Sequence, residues 1–392
     1  MMKKAFIVVT VCGFIMAGLY WGTFAQEQKG AVSAKPPVKI GQMISTTGAY
    51  ALTGQRSLPA IHMAVEEINA AGGILGGRKI ELVILDDGGI PERGASNMRK
   101  FAEDGCKGIS GTPWSSVAIA ANEVCYEKKL PIIHSSAMAP KAAWNQKSWG
   151  MNITIQLAET GNSKALQKYA PRPFKTVFLI IENQDWARGA AGWYKENWKG
   201  RTSAEPQIIG EEIVETNQTD FMSVLTKIKG SKADAILISD TAAPAEANLI
   251  KQAKEVGLPQ MVFFVQGTLN VDTLKLAGSA ANGVLSTETF WPEMPFPVAQ
   301  AFIKQYKDKT RGNVPDKHAC NSYCAIKHLV LAIDRAKSDS NYEAINKAIL
   351  DLSWDSPKGR IKLDGEHCRP SGGLYPVKAQ DGKLVLLGEA VG

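Results

Sequence analysis

From Val38 onward the chain alternates apolar runs of strand length with amphipathic stretches of helix length, and this alternation limits the possible folds more than any other feature. VKIGQMIS reads as a buried strand, RSLPAIHMAVEEINAAGG as an amphipathic helix stopped by Gly72 and Gly73, and KIELVILDD as the next strand. A helix over 92–103, a strand at CKGISG, a helix over 115–128 and a strand at LPIIHSS continue the series. Such β-α-β alternation predicts a parallel, doubly wound sheet. A second series then starts afresh, with helices over 158–169, 188–198, 220–229 and 245–256 between KTVFLII, QIIGEEIV, ADAILIS and QMVFFV, and a short helix near Asp272. The expected class is α/β, with two doubly wound lobes.

A chain of 392 residues exceeds what one hydrophobic core usually organises, which agrees with two lobes. The remainder is helix-rich over 298–352, followed by a β segment at RIKLD and a hairpin at AQDGKLVLLG, where Asp381-Gly382 is a turn signal. These pieces need a sheet to rest on, so the chain is expected to cross between lobes more than once. The expected boundaries are 38–156 with 285–369 for lobe 1, and 157–284 with 370–392 for lobe 2.

The first residues carry Lys3 and Lys4, an apolar run from Ala5 to about Leu19, and small residues at Thr23 and Ala25. They read as an export signal cut after Ala25, followed by a tether over 26–37. A lipoprotein reading of Cys12 is disfavoured by the bulk of Val11 and by its place within the apolar run. The formal net charge of +7 is mild, and Lys and Arg are interspersed with Asp and Glu, without the basic block that nucleic-acid binding requires. In an oxidising compartment Cys106, Cys125, Cys320, Cys324 and Cys368 are candidates for disulfides. Cys106 opens a strand and Cys125 ends the helix that runs back along it, so a Cys106–Cys125 bridge is expected. A second, from Cys368 to Cys320 or Cys324, is the further candidate.

In open α/β sheets, ligands sit beyond the carboxyl ends of the strands. Those positions hold Ser45 to Thr47, Asp86 and Asp87, Thr112 to Ser116, and Ser135 to Met138 in the first series. In the second they hold Glu182 to Trp186, Ser239 to Thr241, and Gln266 to Thr268. Hydroxyls, amides and aromatics dominate. No GxGxxG, GxxxxGK[ST] or GxSxG motif is present, and zinc spacing is missing. Asp86 and Asp87 point to opposite faces of a strand and read as a solvated strand end. His134 is a candidate base for Ser135 or Ser136, but no Asp orients it in sequence, and a structural histidine is the more common case. No catalysis, cofactor or metal is expected.

Several stretches together resemble the leucine/isoleucine/valine-binding group of type I periplasmic solute-binding proteins that feed ABC importers. They are TTGAYALTGQ, AVEEINAAGGILGGRKIELVILDD, SGTPWSSVAIAANEVCYEKKLPIIHSSAMAP, DWARGAA and ILISDTAAPAEANLIKQAKEVGL. The resemblance covers nearly the whole chain after the tether. It implies two lobes joined by three crossovers that close on a small ligand by hinge motion. It further implies a periplasmic location, a membrane permease as partner, and a monomer.

By the same resemblance Ser115, opening the helix after the third strand, holds a ligand carboxylate. The amino end of that helix is an anion site on physical grounds as well, while a plain capping role for Ser115 or Ser116 is the bland counterpart. The family's ammonium contacts are replaced here by Met138 and Gln266, and its aromatic beyond the ISD strand by Ala242 or Ala243. A buried ammonium without a carboxylate partner costs several kcal/mol. Trp114 and Trp186 offer indole faces, with Tyr50 and Trp291 as further candidates, and Ser116, Ser135, Ser136, Asp240 and Thr241 complete the set. This pattern favours a small carboxylate such as an aromatic acid, or an amide, over an amino acid. The alternatives are an amino-acid receptor of the same family, an exported hydrolase using His134, and a sensory ligand-capture protein.

Overall fold

The computed structural model describes residues 35–202, 205–258, 260–264, 267–370 and 372–391. The expected leader, nearly all of the tether, Cys12 and Gln266 lie outside the described residues.

Strand β1 (Val38–Ile44) is buried at almost every position because helices cover both of its faces. It pairs in parallel with β2 (Ile80–Asp86) and β3 (Ile109–Gly111). The helices α1 (Ala51–Ala70), α2 (Pro91–Glu103) and α3 (Ser115–Lys128) are the crossovers. With β4 (Ile132–His134) and β5 (Trp149–Gly150) the sheet has the order β2-β1-β3-β4-β5. The bare Cα of Gly54, in the first turn of α1, packs on the Ser45 carbonyl, where any Cβ would overlap. This close approach holds the start of α1 against the carboxyl end of β1.

A crossing at 151–154 leads into the second lobe. There α4 (Ile155–Tyr169), β6 (Thr176–Glu182), α5 (Asp185–Asn197), β7 (Gln207–Val214), α6 (Met222–Ser231), β8 (Ala235–Ser239), α7 (Ala243–Glu255), β9 (Met261–Phe264), α8 (Val271–Ala277) and β10 (Leu285–Glu288) follow in order. The pleat of β6 divides its side chains between two cores. Val177, Leu179 and Ile181 pack with residues of α4 and α5, whereas Phe178 and Ile180 share a core with Leu225, Ile228, Leu249 and Ile250 of α6 and α7.

The chain returns through α9 (Pro297–Lys309), α10 (Lys317–Arg335) and α11 (Tyr342–Asp351). The long α10 packs on α1 and against β3 and β4, so it belongs with the first sheet. A two-stranded ribbon, β11 (Ser353–Ser356) with β12 (Gly359–Lys362), precedes the third crossing. The final hairpin, β13 (Tyr375–Gln380) and β14 (Lys383–Leu386), joins the second sheet, which reads β14-β13-β10-β9-β8-β6-β7. β10 pairs with β9 and β13, so residues 285–288, expected to return to the first lobe, hydrogen-bond in the second sheet.

The expected Cys106–Cys125 disulfide is absent. Cys106, Cys125, Cys320, Cys324 and Cys368 are all free and buried. The Cys125 thiol turns inward to the Leu130 carbonyl, at 2.8 Å, rather than toward Cys106. Placement at one edge of a lobe does not fix the direction of a Cβ.

Candidate ligand-binding cleft

Residues that follow strand ends in both sheets meet in one connected set of contacts. Tyr50, in a 3-10 turn before α1, stacks on Trp114 with ring centroids 3.7 Å apart and an interplanar angle of 20°. The Trp114 indole N–H donates to Ser45 Oγ at 2.6 Å, and that hydroxyl donates to Asp87. Asp87, expected at a solvated strand end, is fully buried because it holds Ser45 and, at 2.8 Å, the Gly89 N–H. The stack is thus fixed from below by a carboxylate–hydroxyl–indole chain. The His318 ring, in the first turn of α10, lies 5.7 Å from Trp114.

The second lobe meets this stack through carboxylates. The Tyr50 hydroxyl donates to Glu182 Oε1 at 2.7 Å, and Glu182 Oε2 accepts from the Thr241 hydroxyl at 2.7 Å. Asp240 Oδ1 accepts from the Ala242 N–H at 2.9 Å, while Oδ2 is buried with no hydrogen-bond partner among the described residues. Burial raises the Glu182 pKa, and the hydrogen bonds from Tyr50 and Thr241 pull it partly back. Burial, then the charge of Glu182, holds Asp240 well above the usual carboxylate range. Both acids therefore hold a proton more tightly than a carboxyl group in water.

Ser115 opens α3, but the capping position is Trp114, which makes no side-chain cap. Instead Ser115 Oγ accepts from the backbone N–H groups of Met138 at 3.0 Å and Ala139 at 3.1 Å, tying the loop after β4 to the helix start. The amino end of α3 keeps N–H groups that no side chain caps. Next to it, Ser116 Oγ donates to Gln184 Oε1 across the lobes at 2.9 Å. Ser136 Oγ accepts from Asn321 of α10 at 3.0 Å. Arg369, fully buried, grips the same loop from its other side, donating to the carbonyls of Ala137 and Ala139. Met138 and Trp186 share one apolar cluster with Ile155, and the Trp186 indole N–H is buried without a partner among the described residues.

The structure thus joins Tyr50, Trp114, Ser115, Ser116, Ser136, Met138, Trp186, Asp240 and Thr241 in the junction between lobes. Ser135 is buried with its hydroxyl unpartnered among the described residues, and Trp291 packs on Tyr375 at 5.1 Å. His134 Nε2 pairs with Asn122 Oδ1 at 2.9 Å, and burial pushes its pKa down to about 3. Neither Ser135 nor Ser136 is hydrogen-bonded to it. Among the described residues no group of three or more His, Cys, Asp or Glu is set to hold a metal.

The sequence reading assigned no role to Glu182, Lys317 or His318. The first stands at a strand end, where a signal existed. The other two start a helix whose approach to the cleft no local pattern announces. Lys317 is buried, with Glu288 and Asp316 as its electrostatic partners, and a side chain at Gly267 would overlap its ammonium. Burial lowers the Lys317 pKa, and those carboxylates oppose the shift.

Residues 37–383 match the family model described as periplasmic binding protein. The Leu/Ile/Val-binding protein homolog 1 of Brucella abortus (strain 2308) is 30% identical over 345 residues, covering 85% of this chain and 90% of that one. The structure resembles the branched-chain amino acid substrate-binding protein LivJ of Streptococcus pneumoniae, solved with isoleucine, at a TM-score of 0.81 and 22% identity, with 91% and 99% of the chains covered. A solute-binding protein of an ABC transporter from R. palustris, solved with benzoate, superposes with the same TM-score of 0.81 at 20% identity, covering 91% and 97%. With two lobes of doubly wound sheet and a match over nearly its whole described length, this chain belongs to the periplasmic binding protein family.

Proposed function

We propose that the chain is the solute-capturing receptor of an ABC importer, working in the periplasm and handing its solute to a membrane permease. The solute is a small molecule with a carboxylate or amide group and a flat or apolar body. The observation that carries this reading is the set of direct bonds between lobes, Tyr50 to Glu182 and Ser116 to Gln184, around the Tyr50–Trp114 stack. A solute seated among these groups touches both lobes at once, so its binding energy favours the closed state. The amino end of α3 suits an anionic or strongly polar oxygen, and the indoles of Trp114 and Trp186 suit an apolar body.

A second reading, an amino acid, is favoured by the unpartnered Asp240 Oδ2 beside Glu182. An ammonium there would favour the charged form of both carboxylates, and so proton release, whereas a bare carboxylate would favour proton uptake. Mass spectrometry of solute released on denaturation identifies the class. Calorimetry with 3-phenylpropanoate and with phenylalanine, in buffers of different ionisation enthalpy, gives the sign of proton exchange. Tight binding of the acid with proton uptake supports the first reading, and tight binding of phenylalanine with proton release the second. Recovery of a chemically altered solute would overturn the receptor function.

A further inference from the structure

An ion pair joins the two lobes away from the Tyr50–Trp114 stack. Arg56, in the second turn of α1, donates through Nε to Asp272 Oδ2 at 3.0 Å and through Nη2 to Asp272 Oδ1, a two-pronged pair with the first turn of α8 in the second lobe. Both side chains are only 15% exposed. Each partner is held by its own lobe. Arg56 Nη1 donates to the Val314 carbonyl at 2.7 Å, and the Arg56 carbonyl accepts from the Tyr306 hydroxyl of α9 at 2.7 Å. On the other side Asn270 caps α8 at the N–H groups of Asp272 and Thr273, and the Thr273 hydroxyl donates to Glu246 of α7 at 2.6 Å.

Arg56 also has a carboxylate neighbour in its own lobe. Asp316 Oδ2 lies 3.8 Å from Arg56 Nε, beyond hydrogen-bonding distance yet within ion-pair range. Asp316 is buried, and its Oδ1 caps α10 at the Ala319 N–H. The guanidinium thus stands between one acid from each lobe, bonded to the acid of the second lobe and in contact with that of the first. When the lobes part, Asp272 leaves and Asp316 stays. A cation that passes from one acid to the other is never stranded without a partner, which would be costly for a group so little exposed. Its contribution is then a bias between two arrangements, set by the difference between its two acids.

We propose that Arg56 is a partner-switching latch, paired with Asp272 when the lobes are closed and with Asp316 when they are open. The balance between the two acids sets the ratio of closed to open protein. That ratio governs how firmly a solute is held, a consequence that rests on the receptor reading, whereas the latch itself concerns the lobes alone.

The test removes one acid at a time in the mature protein. Asp272→Asn takes away the closed-state partner. Asp316→Asn takes away the open-state partner, while asparagine keeps the helix cap. Pulsed electron resonance between spin labels on one exposed cysteine introduced in each lobe gives the two populations in protein stripped of solute, and the five native thiols, being buried, stay unlabelled. We expect the closed-to-open ratio to fall about fivefold in Asp272→Asn and to rise about fivefold in Asp316→Asn. In an Arg56→Gln background neither substitution should change the ratio. A role in fold stability alone would move both variants in the same direction, so opposite shifts identify the switch. Shifts of the same sign, an unchanged ratio in either variant, or shifts that persist without Arg56 overturn the proposal. If Asp316→Asn melts early, Asp272→Asn with and without Arg56→Gln still decides it.

Discussion

Tyr50 and Glu182, 132 positions apart in the chain, are joined by a 2.7 Å hydrogen bond from phenol to carboxylate, and this bond runs between the two lobes. The phenol is held flat by Trp114, and the carboxylate by Thr241. A rigid donor thus meets a rigid acceptor, the arrangement in which a hydrogen bond loses least entropy on forming.

Removing the hydroxyl while keeping the ring isolates that bond. Tyr50→Phe preserves the stack on Trp114 but leaves Glu182 Oε1 without its donor. Solute affinity should fall about tenfold, equivalent to about 1.4 kcal/mol, with little change in melting temperature. Calorimetry with the co-purified solute checks it, and unchanged affinity would remove Tyr50 from the closure mechanism.

Ser115→Ala strips the acceptor from two backbone N–H groups, those of Met138 and Ala139. The loop after β4 should loosen, at a stability cost of about 1–3 kcal/mol, and solute affinity should fall by at least about tenfold. Chemical denaturation and calorimetry report the two effects separately. A stable variant with wild-type affinity would contradict the anchoring role.

Glu159 gives a pH signature. It is fully buried, accepts from the Tyr194 hydroxyl at 2.6 Å and from Asn162 at 3.0 Å, and burial pushes its pKa from 4.5 to about 7 despite those bonds. A folded pKa above the unfolded one means that the folded state binds the proton more tightly. The stabilisation is present below pH 4.5 and is lost as pH rises through about 7. Glu159→Gln cannot ionise, so its stability relative to wild type should rise between pH 5 and pH 8, by up to about 3 kcal/mol. Denaturant unfolding at the two pH values decides it, and a pH-independent difference would place the pKa near its ordinary value.

Gly54→Ala tests the close approach between α1 and β1. The added methyl would overlap the Ser45 carbonyl, and Ser45 also holds the Trp114 indole. The expected cost is about 2 kcal/mol, despite alanine's better helix propensity, with weaker solute binding as a consequence. A stabilised variant would show that α1 shifts freely.

The thiols supply a check on the disulfide correction. Cys106, Cys125, Cys320, Cys324 and Cys368 are buried, and burial pushes the Cys106 thiol up to about 11 and Cys125 higher still. A thiol reagent should react negligibly with the native protein and with all five after denaturation without reductant. Two missing equivalents would restore a bridge.

The α/β class, the order of the elements and the strand-end positions of Trp114, Ser115, Trp186, Asp240 and Thr241 are legible in the amino-acid order alone. These follow from local rules: apolar periodicity reports which faces are covered, and a parallel sheet puts its ligand positions beyond the carboxyl ends of its strands. Which of those positions touch emerges only from the packed molecule. Tyr50 meets Glu182, α10 brings His318 toward Trp114 and Asn321 to Ser136, and Arg369 comes back from the third crossing to hold the loop that Ser115 holds. The same limit explains Asp87, buried by its bonds to Ser45 and Gly89, and Cys125, whose thiol faces Leu130. Side-chain period is a property of one element, whereas these contacts depend on how two lobes and three crossings are placed relative to one another, and that is decided by packing over hundreds of residues.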